Sequence, residues 1–195
     1  MIAVKSALRL ERSDDGGFLL GSSAEAYAAL IAIAEVWVLA QGETLAGFAI
    51  GLPDPVVRAS DLWERRARIV WDGFDGRALD EMVVGYFDQL AVLPAHRGHG
   101  QAAALAVRPV IGLLERGVTD LFATTVREPF LNRAAWSLLE GVGARRVGQI
   151  DEVYPDFGPL VSDLHHAPAA LARARVEAWG AGPASSSRAR LASAR

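Results

Sequence analysis

The chain has 195 residues, of which 51% are hydrophobic and 22% charged, and its formal net charge at pH 7 is −3. This length suits one domain that buries a substantial core without a metal or disulfide, and the balanced charge argues against a basic surface for nucleic acid. Because there is no cysteine, disulfides, thiolate metal sites and a cysteine nucleophile are excluded.

Membrane insertion and secretion are not indicated by the sequence. The longest uninterrupted apolar run covers residues 26 to 34, which is much shorter than the roughly 20 residues that cross a bilayer. The first five residues, MIAVK, do not form a signal-peptide pattern. We therefore expect a cytoplasmic protein that makes no contact with a membrane.

The first third of the chain predicts a short strand, a helix and a hairpin. Residues 8–10 alternate as a strand does, before a turn at 14–17. A helix is expected to begin near Ala24, behind a serine cap. Two apolar segments, 35–40 and 44–50, flank a short turn and predict a β-hairpin.

Residues 53–80 interrupt this pattern with a mixed segment that contains Trp63, Trp71 and several arginines. Long connections in compact domains are usually functional or disordered. Two interpretations stay open: the segment forms a lid or wall of a pocket, or it is a surface excursion or dimer contact. The two tryptophans would face a ligand or pack the segment down.

The second half predicts helices and strands in alternation, which implies parallel pairing. Apolar residues recur at helical spacing after residue 100, with Pro109 bending this helix and Gly117 ending it. A buried strand at 121–126 precedes a helix over 130–140, with Pro129 in its first turn.

The C-terminal part predicts two further strands and a helix. The strands cover 145–150 and 160–164, and the helix covers 169–179. Residues 180–195 form an Ala/Ser/Arg tail with nothing to pack. We expect one domain over 1–166, followed by a C-terminal helix and flexible tail over 167–195.

The most informative segment runs from Leu90 to Ala102, where an apolar strand passes through Pro94 into an Arg/Gly-rich turn that opens a helix. Gly98 and Gly100 lack a Cβ and can adopt positive φ, so a ligand can approach the backbone. The unpaired N–H groups of the first helical turn point outward, which predicts a pocket for a pyrophosphate.

This segment resembles the GCN5-related N-acetyltransferases (GNAT). Arg97-x-x-Gly100-x-Ala102 matches the acetyl-CoA signature of the family, and the link from Val92 to Gly98 is similar to the one that precedes it. Asn132-x-x-Ala135 and Gly143 also match, although Ala144 replaces the usual Phe. The resemblance covers roughly residues 35 to 165.

The resemblance implies an α/β fold with a central mixed, mostly antiparallel sheet, flanked by helices and splayed between strands four and five. It implies that acetyl-CoA is a co-substrate whose acetyl group moves directly to a primary amine of a small molecule or peptide. Dimerisation is common in the family. The implied cofactor-binding residues are Leu90, Ala91, Val92, Arg97, Gly98, His99, Gly100, Gln101, Ala102 and Asn132.

The resemblance also implies catalytic residues. Direct transfer needs a neutral amine and therefore a base, and Asp88 on the fourth strand is the nearest candidate, on one face with Tyr86 and Leu90 by the strand period of two. The alternative is that Asp88 is ion-paired or solvent-facing and only orders the pocket. The family's general-acid Tyr position holds Leu139, which cannot donate a proton, so Tyr154, Tyr86 or water would have to replace it. Tyr154 is the candidate, because the loop that contains it often borders the acceptor site in the family, and the alternative is that it only packs.

Two other functions and one metal site are the alternatives. Leu139 favours a non-catalytic acyl-CoA-binding relative. Gly98-x-Gly100-x-x-Ala103 also satisfies the dinucleotide-binding fingerprint, which would favour a nucleotide-dependent oxidoreductase. In that fold the fingerprint lies at the start of a βαβ unit, whereas three or more strands are predicted before it here. His96 and His99, and the pair His165 and His166, could suggest a metal, but a third ligand and supporting residues are not evident, and we predict none.

Overall fold

A computed structural model describes residues 1–8, 19, 22–97, 100–154, 158–180 and 191–193. The helices are α1 (Ile2–Ala7), α2 (Ala24–Ile33), α3 (Asp54–Arg58), α4 (Asp61–Arg65), α5 (Gln101–Glu115), α6 (Arg133–Gly141) and α7 (Ala169–Gly180). The strands are β1 (Glu35–Gln41), β2 (Thr44–Leu52), β3 (Val70–Trp71), β4 (Val84–Val92), β5 (Asp120–Glu128), β6 (Arg145–Tyr154), β7 (Gly158–Pro168) and β8 (Leu191–Ser193).

The strands form one sheet in the order β3-β6-β7-β5-β4-β2-β1-β8. Strands β4 and β5 are parallel, and the other pairs within the described ranges are antiparallel. The α5 crossover explains the parallel pair, because parallel strands need a long connection. The predicted fold class, a mixed and mostly antiparallel sheet flanked by helices, is confirmed.

The parallel pair is short, and this opens the sheet. Residues 84–86 of β4 pair with residues 120–122 of β5, although each strand continues for six more residues. Beyond Tyr86 the two strands diverge, and residues from both line one cleft. The predicted splay between the fourth and fifth strands is therefore confirmed.

Two layers of helices cover the sheet. Along β2, alternate residues pack against one layer or the other. Phe48, Ile50 and Leu52 pack with α1 and α2. The alternate positions Gly47 and Gly51 lie beneath α5, where an added Cβ would come within 3.3 Å of α5 side chains. Glycine therefore lets α5 approach the sheet closely, and α7 packs against α5 and against β5 and β7.

The central predictions of secondary structure hold. Ser23 caps α2 by accepting a hydrogen bond from the Ala26 N–H, and the hairpin forms as β1 and β2. Helix α5 continues through Pro109, and Gly117 follows its end with φ +80°. None of the helices in the described ranges combines the length and the apolar character needed to cross a bilayer.

Two predictions about element boundaries were wrong, and one helix was not predicted. The helix that was not predicted is α1, whose Val4 and the following Leu8 reach the core at helical spacing. Beyond Leu8, the strand predicted over 8–10 and the turn predicted over 14–17 lie outside the described residues. Pro129 precedes α6, because Asn132 caps that helix. The tail was expected to pack on nothing, yet β8 pairs with β1, since the edge of β1 offers free backbone groups.

Candidate active site

A cleft of about 930 Å³ lies where β4 and β5 diverge. Strand β4 contributes residues 86–92, β5 contributes residues 123–126, and α4, α6 and β6 complete the wall. The volume is in the range of small-molecule and cofactor sites. Of the residues proposed from the sequence, Asp88, Leu90, Ala91, Val92, Arg97, Ala102, Asn132 and Tyr154 line this cleft.

One end of the cleft meets the N-terminus of α5. Gly100 is the N-cap, with φ +74°. Among the described residues other than its chain neighbours, no atom lies within 4 Å of the position of an added Cβ. Helix geometry leaves the first N–H groups of α5 without intrahelical acceptors, and the helix dipole favours an anion there. Gln101 is the first residue of α5, whereas Gly98 and His99 lie outside the described residues.

Arg97 is anchored to the strand that leads into the turn. Its Nε donates a hydrogen bond of 3.2 Å to the Val92 carbonyl. This contact ties the guanidinium to the C-terminal end of β4 and keeps it beside the cleft. The positive charge therefore lies near the helix N-terminus, where both favour a phosphate.

Helix α6 forms the opposite wall. Asn132 caps this helix through a 3.3 Å hydrogen bond that its Oδ1 accepts from the Ala135 N–H. Asn132 therefore serves as the N-cap of α6, and its side chain also borders the cleft. Leu139 is buried and also lines the cleft, so an apolar side chain lies where the resemblance implies a proton donor.

Asp88 lines the cleft at a bulge in β4. Gln89 pairs with Ile50 and Phe87 pairs with Gly51, so Asp88 is an additional residue opposite no partner. Because of this bulge, the alternation of side chains reverses between Tyr86 and Leu90. The prediction that Asp88 shares a face with Leu90 was wrong, since the period of two does not continue across a bulge.

The surroundings of Asp88 weaken its acidity. Burial raises the pKa of Asp88 to about 6, although a hydrogen bond from Gln89 and the charge of Arg65 lower it, and Asp61 adds a smaller upward contribution. The Gln89 Nε2 donates to Asp88 Oδ2 over 3.0 Å. A carboxylate with such a pKa can both take up and release a proton near neutral pH.

A second charged group closes the other end of the cleft. Arg65 of α4 forms an ion pair with Glu152 of β6, which is 7% exposed, and interacts electrostatically with Tyr154 on the same strand. Burial raises the pKa of Tyr154, and Arg65 lowers it. The Tyr154 hydroxyl therefore carries its proton at neutral pH.

The insertion between residues 53 and 80 supplies this wall. Residues 60–62 and 65 border the cleft, which agrees with the interpretation of the segment as a pocket wall. Trp71 stacks on Phe74 with 5.2 Å between ring centroids, and Phe74 packs edge-on against Phe122 in the core. The segment is therefore fastened to the domain through Trp71.

Three residues of the site were not predicted from the sequence: Arg65, Gln89 and Glu152. The only available signal for Glu152 is that it shares a strand face with Tyr154, two residues away. Arg65 is one of several arginines in a segment without a clear pattern. Gln89 would face away from Asp88 in a regular strand, and only the bulge brings the two side chains together.

The paired histidines take part in packing. His165 Nε2 lies 3.1 Å from the Trp136 indole N–H and 2.9 Å from the Thr125 hydroxyl. His166 lies 2.7 Å from Asp120 and packs against the ring of Phe122. Within the ranges that the structure describes, no three His, Cys, Asp or Glu side chains are grouped as metal ligands.

Comparison with solved structures identifies the fold. The ribosomal-protein-S18-alanine N-acetyltransferase from Escherichia coli has a TM-score of 0.56 and 20% identity, over 86% of this chain and 84% of that chain. The NatC complex bound to Gag peptide and CoA has a TM-score of 0.56 and 18% identity, over 86% and 89% of the two chains.

A third similar structure, the ribosomal-protein-alanine N-acetyltransferase from Brucella melitensis, has a TM-score of 0.53 and 16% identity, over 86% of this chain and 94% of that chain. Neither a protein-family model nor a curated protein matches the sequence. The structural matches show that this chain has the GNAT fold.

Proposed function

We propose that this chain, which has the GNAT fold, transfers the acetyl group of acetyl-CoA directly to a primary amine. The observation that carries the proposal is the opening between β4 and β5 beyond Tyr86, which is lined by Asp88 and by residues next to the N-terminus of α5. This arrangement offers an anion site and a base in one continuous cleft.

The residues around the cleft fit such a co-substrate. The backbone N–H groups from Arg97 to Ala102, including those of Gly98, His99, Gly100 and Gln101, would hold the pyrophosphate. Leu90, Ala91 and Val92 would offer strand-edge groups to the pantetheine arm, and Asn132 would border it. The open space at Gly100 supports this assignment, because a bulky ligand can approach the backbone there.

Acetyl-CoA would supply the acetyl group as a reactive thioester. Asp88 would take the proton of the attacking amine, directly or through one water, while the new nitrogen–carbon bond forms and the carbon–sulfur bond breaks. A pKa of about 6 leaves most of the carboxylate ionised at pH 7 and ready to act as a base. General-base catalysis of this kind typically contributes 10²- to 10⁴-fold to a rate.

The departing thiolate needs a proton, and Leu139 cannot donate one. Tyr154 is our candidate for this role, because its hydroxyl is protonated at neutral pH and lies in the same cleft as Asp88. Arg65 lowers the pKa of Tyr154 and would stabilise the phenolate that remains after donation. The proton that Asp88 removes would then return to solvent.

The acceptor is either a small molecule or a peptide amine. The similar structures include enzymes named for the alanine of a ribosomal protein and a complex bound to a peptide, which favours a peptide amine. At the acceptor end, three carboxyl groups, those of Asp61, Asp88 and Glu152, line the cleft beside two guanidinium groups, those of Arg65 and Arg68. This surplus of negative charge would attract an amine in its ammonium form.

A second candidate is a protein that binds acyl-CoA without turning it over. The apolar, buried Leu139 favours it. The third function considered from the sequence, that of a nucleotide-dependent oxidoreductase, loses support, because the mostly antiparallel sheet differs from the parallel sheet of dinucleotide-binding folds.

The test is turnover. The protein is incubated with acetyl-CoA and a panel of small amines and peptides with free N-termini, and both the released thiol and the mass of the acetylated product are measured. We expect stoichiometric thiol and product, with a rate at least 100-fold lower in Asp88→Asn. Binding of acetyl-CoA without any acetylated product across the panel would favour the non-catalytic function.

A further inference from the structure

We propose that Tyr27 and Gln89 are positioning residues that orient and hold Asp88, through a directed chain of hydrogen bonds that begins on helix α2. The inference deepens the proposed function, on which it rests, by assigning the groups that control the base. It starts from the bulge in β4, which turns Asp88 and Gln89 toward the same side of the sheet.

The contact between these neighbours depends on that bulge. In a regular strand, successive side chains point to opposite faces, so adjacent side chains do not meet. Here Gln89 Nε2 donates to Asp88 Oδ2 over 3.0 Å. The additional residue in β4 therefore brings the side-chain amide of Gln89 next to the carboxylate of Asp88.

The orientation of the Gln89 amide is determined by Tyr27. The Tyr27 hydroxyl donates to Gln89 Oε1 over 2.7 Å, and the hydroxyl oxygen accepts the backbone N–H of Ser22 over 3.3 Å. Because a backbone N–H can only donate, the hydroxyl proton is available for Gln89. The amide oxygen therefore faces Tyr27, and the NH₂ group faces Asp88.

The side chains that form this series of hydrogen bonds are buried, and their polar groups have hydrogen-bond partners. Tyr27 is 3% exposed and Gln89 is 8% exposed, and the second proton of the Gln89 amide points to Ser22 Oγ at 3.5 Å. Buried hydrogen-bond chains reinforce one another and fix rotamers. The carboxylate of Asp88 is thereby held in one orientation before an amine arrives, which favours proton transfer.

Other charged and titratable groups also act on Asp88. Arg65 and Asp61 face it from α4, and Tyr154 faces it from β6, where Glu152 holds Arg65. Tyr86 of β4 interacts with it as well, and Lys5 of α1 donates to the carbonyl of Ser22 behind the chain. Variants of Tyr27 and Gln89 leave all of these groups in place.

The test is the titration of Asp88 itself, followed by carboxyl ¹³C NMR on the free protein, with Asp88→Asn to assign the signal. In Tyr27→Phe the amide is free to rotate, and in Gln89→Met the donor is lost. We expect either change to raise the titration midpoint of Asp88 by roughly half to one pH unit. An unchanged midpoint in both variants would overturn the proposal.

A matched control separates positioning from packing. Phe48 packs edge-on against Tyr27, with 5.6 Å between ring centroids, and is fully buried. Phe48→Leu should lower the thermal midpoint while leaving the Asp88 titration unchanged. If it moved that titration as much as Tyr27→Phe does, the role of Tyr27 would be structural only.

The titration needs no acceptor and no turnover, so its result is independent of the proposed reaction. If the titration midpoint is raised in the variants but Asp88→Asn is still fully active, the control of Asp88 by the hydrogen-bond chain stands and the role of Asp88 as the base is refuted. Once an acceptor is known, the acidic limb of the pH profile of kcat/KM should move upward by the same amount in Tyr27→Phe. A limb that stays in place while the titration moves would refute the positioning role.

Discussion

Removing the Arg65 side chain tests how the acceptor end of the cleft is held together. Arg65 is 22% exposed and pairs with Glu152, which is 7% exposed. Breaking a buried pair from one side typically costs about 3–5 kcal/mol, because the remaining charge is buried without a partner. Since Arg65 is partly exposed, we expect Arg65→Met to cost near the lower end, about 3 kcal/mol.

The double-mutant cycle isolates this interaction. Glu152→Gln leaves Arg65 with Asp61, at 3.5 Å, and with solvent, so it should cost only about 1 kcal/mol. In Arg65→Met/Glu152→Gln no unpaired carboxylate is left, and the total loss should be about 2 kcal/mol smaller than the sum of the single losses.

Urea unfolding at pH 7 is the assay. With a slope of about 2 kcal/mol per molar urea, Arg65→Met should lower the midpoint by about 1.5 M. Additive losses in the double variant would refute the reasoning, because they would show that the two side chains do not depend on each other.

Three further predictions concern acidity and packing. Asp88→Asn should raise the thermal midpoint at pH 7 while slowing transfer. The raised pKa of Asp88, about 6, means that the charged carboxylate destabilises the folded state, by an amount that grows as the pH rises from 3.8 through 6. Asparagine removes this destabilisation, so a lower midpoint would contradict the reasoning. Burial lowers the pKa of His165 below 6.5, so the contribution of His165 to stability is present above pH 6.5 and is lost as the pH falls. His165→Gln should therefore weaken the dependence of the thermal midpoint on pH between pH 7 and 5. An unchanged slope of midpoint against pH would show that His165 does not control it. Gly47→Ala would bring a Cβ within 2.6 Å of the Ala91 carbonyl oxygen, so calorimetry should show a loss of about 1–3 kcal/mol, and no loss would mean that β2 and β4 can separate freely.

The parts of the fold that local chemistry determines could be predicted from the sequence. The hairpin of β1 and β2 consists of two apolar segments that flank a short turn, in which Gly42 adopts φ +60°. The turn before α5 combines a strand, a proline and glycines, and its role as a helix start follows from those residues alone. The parallel pairing of β4 and β5 followed from the intervening helix.

The details of the site could not be predicted, because they depend on distant parts of the chain. The bulge at Asp88 arises from the pairing of β4 with β2, and it is not visible in the alternation of β4 itself. Arg65 and Glu152 are 87 residues apart. The strand β8 forms because β1 leaves an edge, whereas its own composition resembles that of an unpaired tail.

The central claim is that the cleft between β4 and β5 binds acetyl-CoA. The most direct measurement is the thermal midpoint with acetyl-CoA, CoA and NADPH in parallel, because a ligand at 100 times its Kd stabilises a protein by about 2.7 kcal/mol. Gly100→Trp should abolish the effect. Gly73→Trp is the matched control, since Gly73 has a similar φ of +67° and equally open surroundings and does not line the cleft.

We predict that both CoA species raise the midpoint of the unmodified protein and of Gly73→Trp, with no rise in Gly100→Trp and none with NADPH. Stabilisation by NADPH alone, or an undiminished response to acetyl-CoA in Gly100→Trp, would contradict the account.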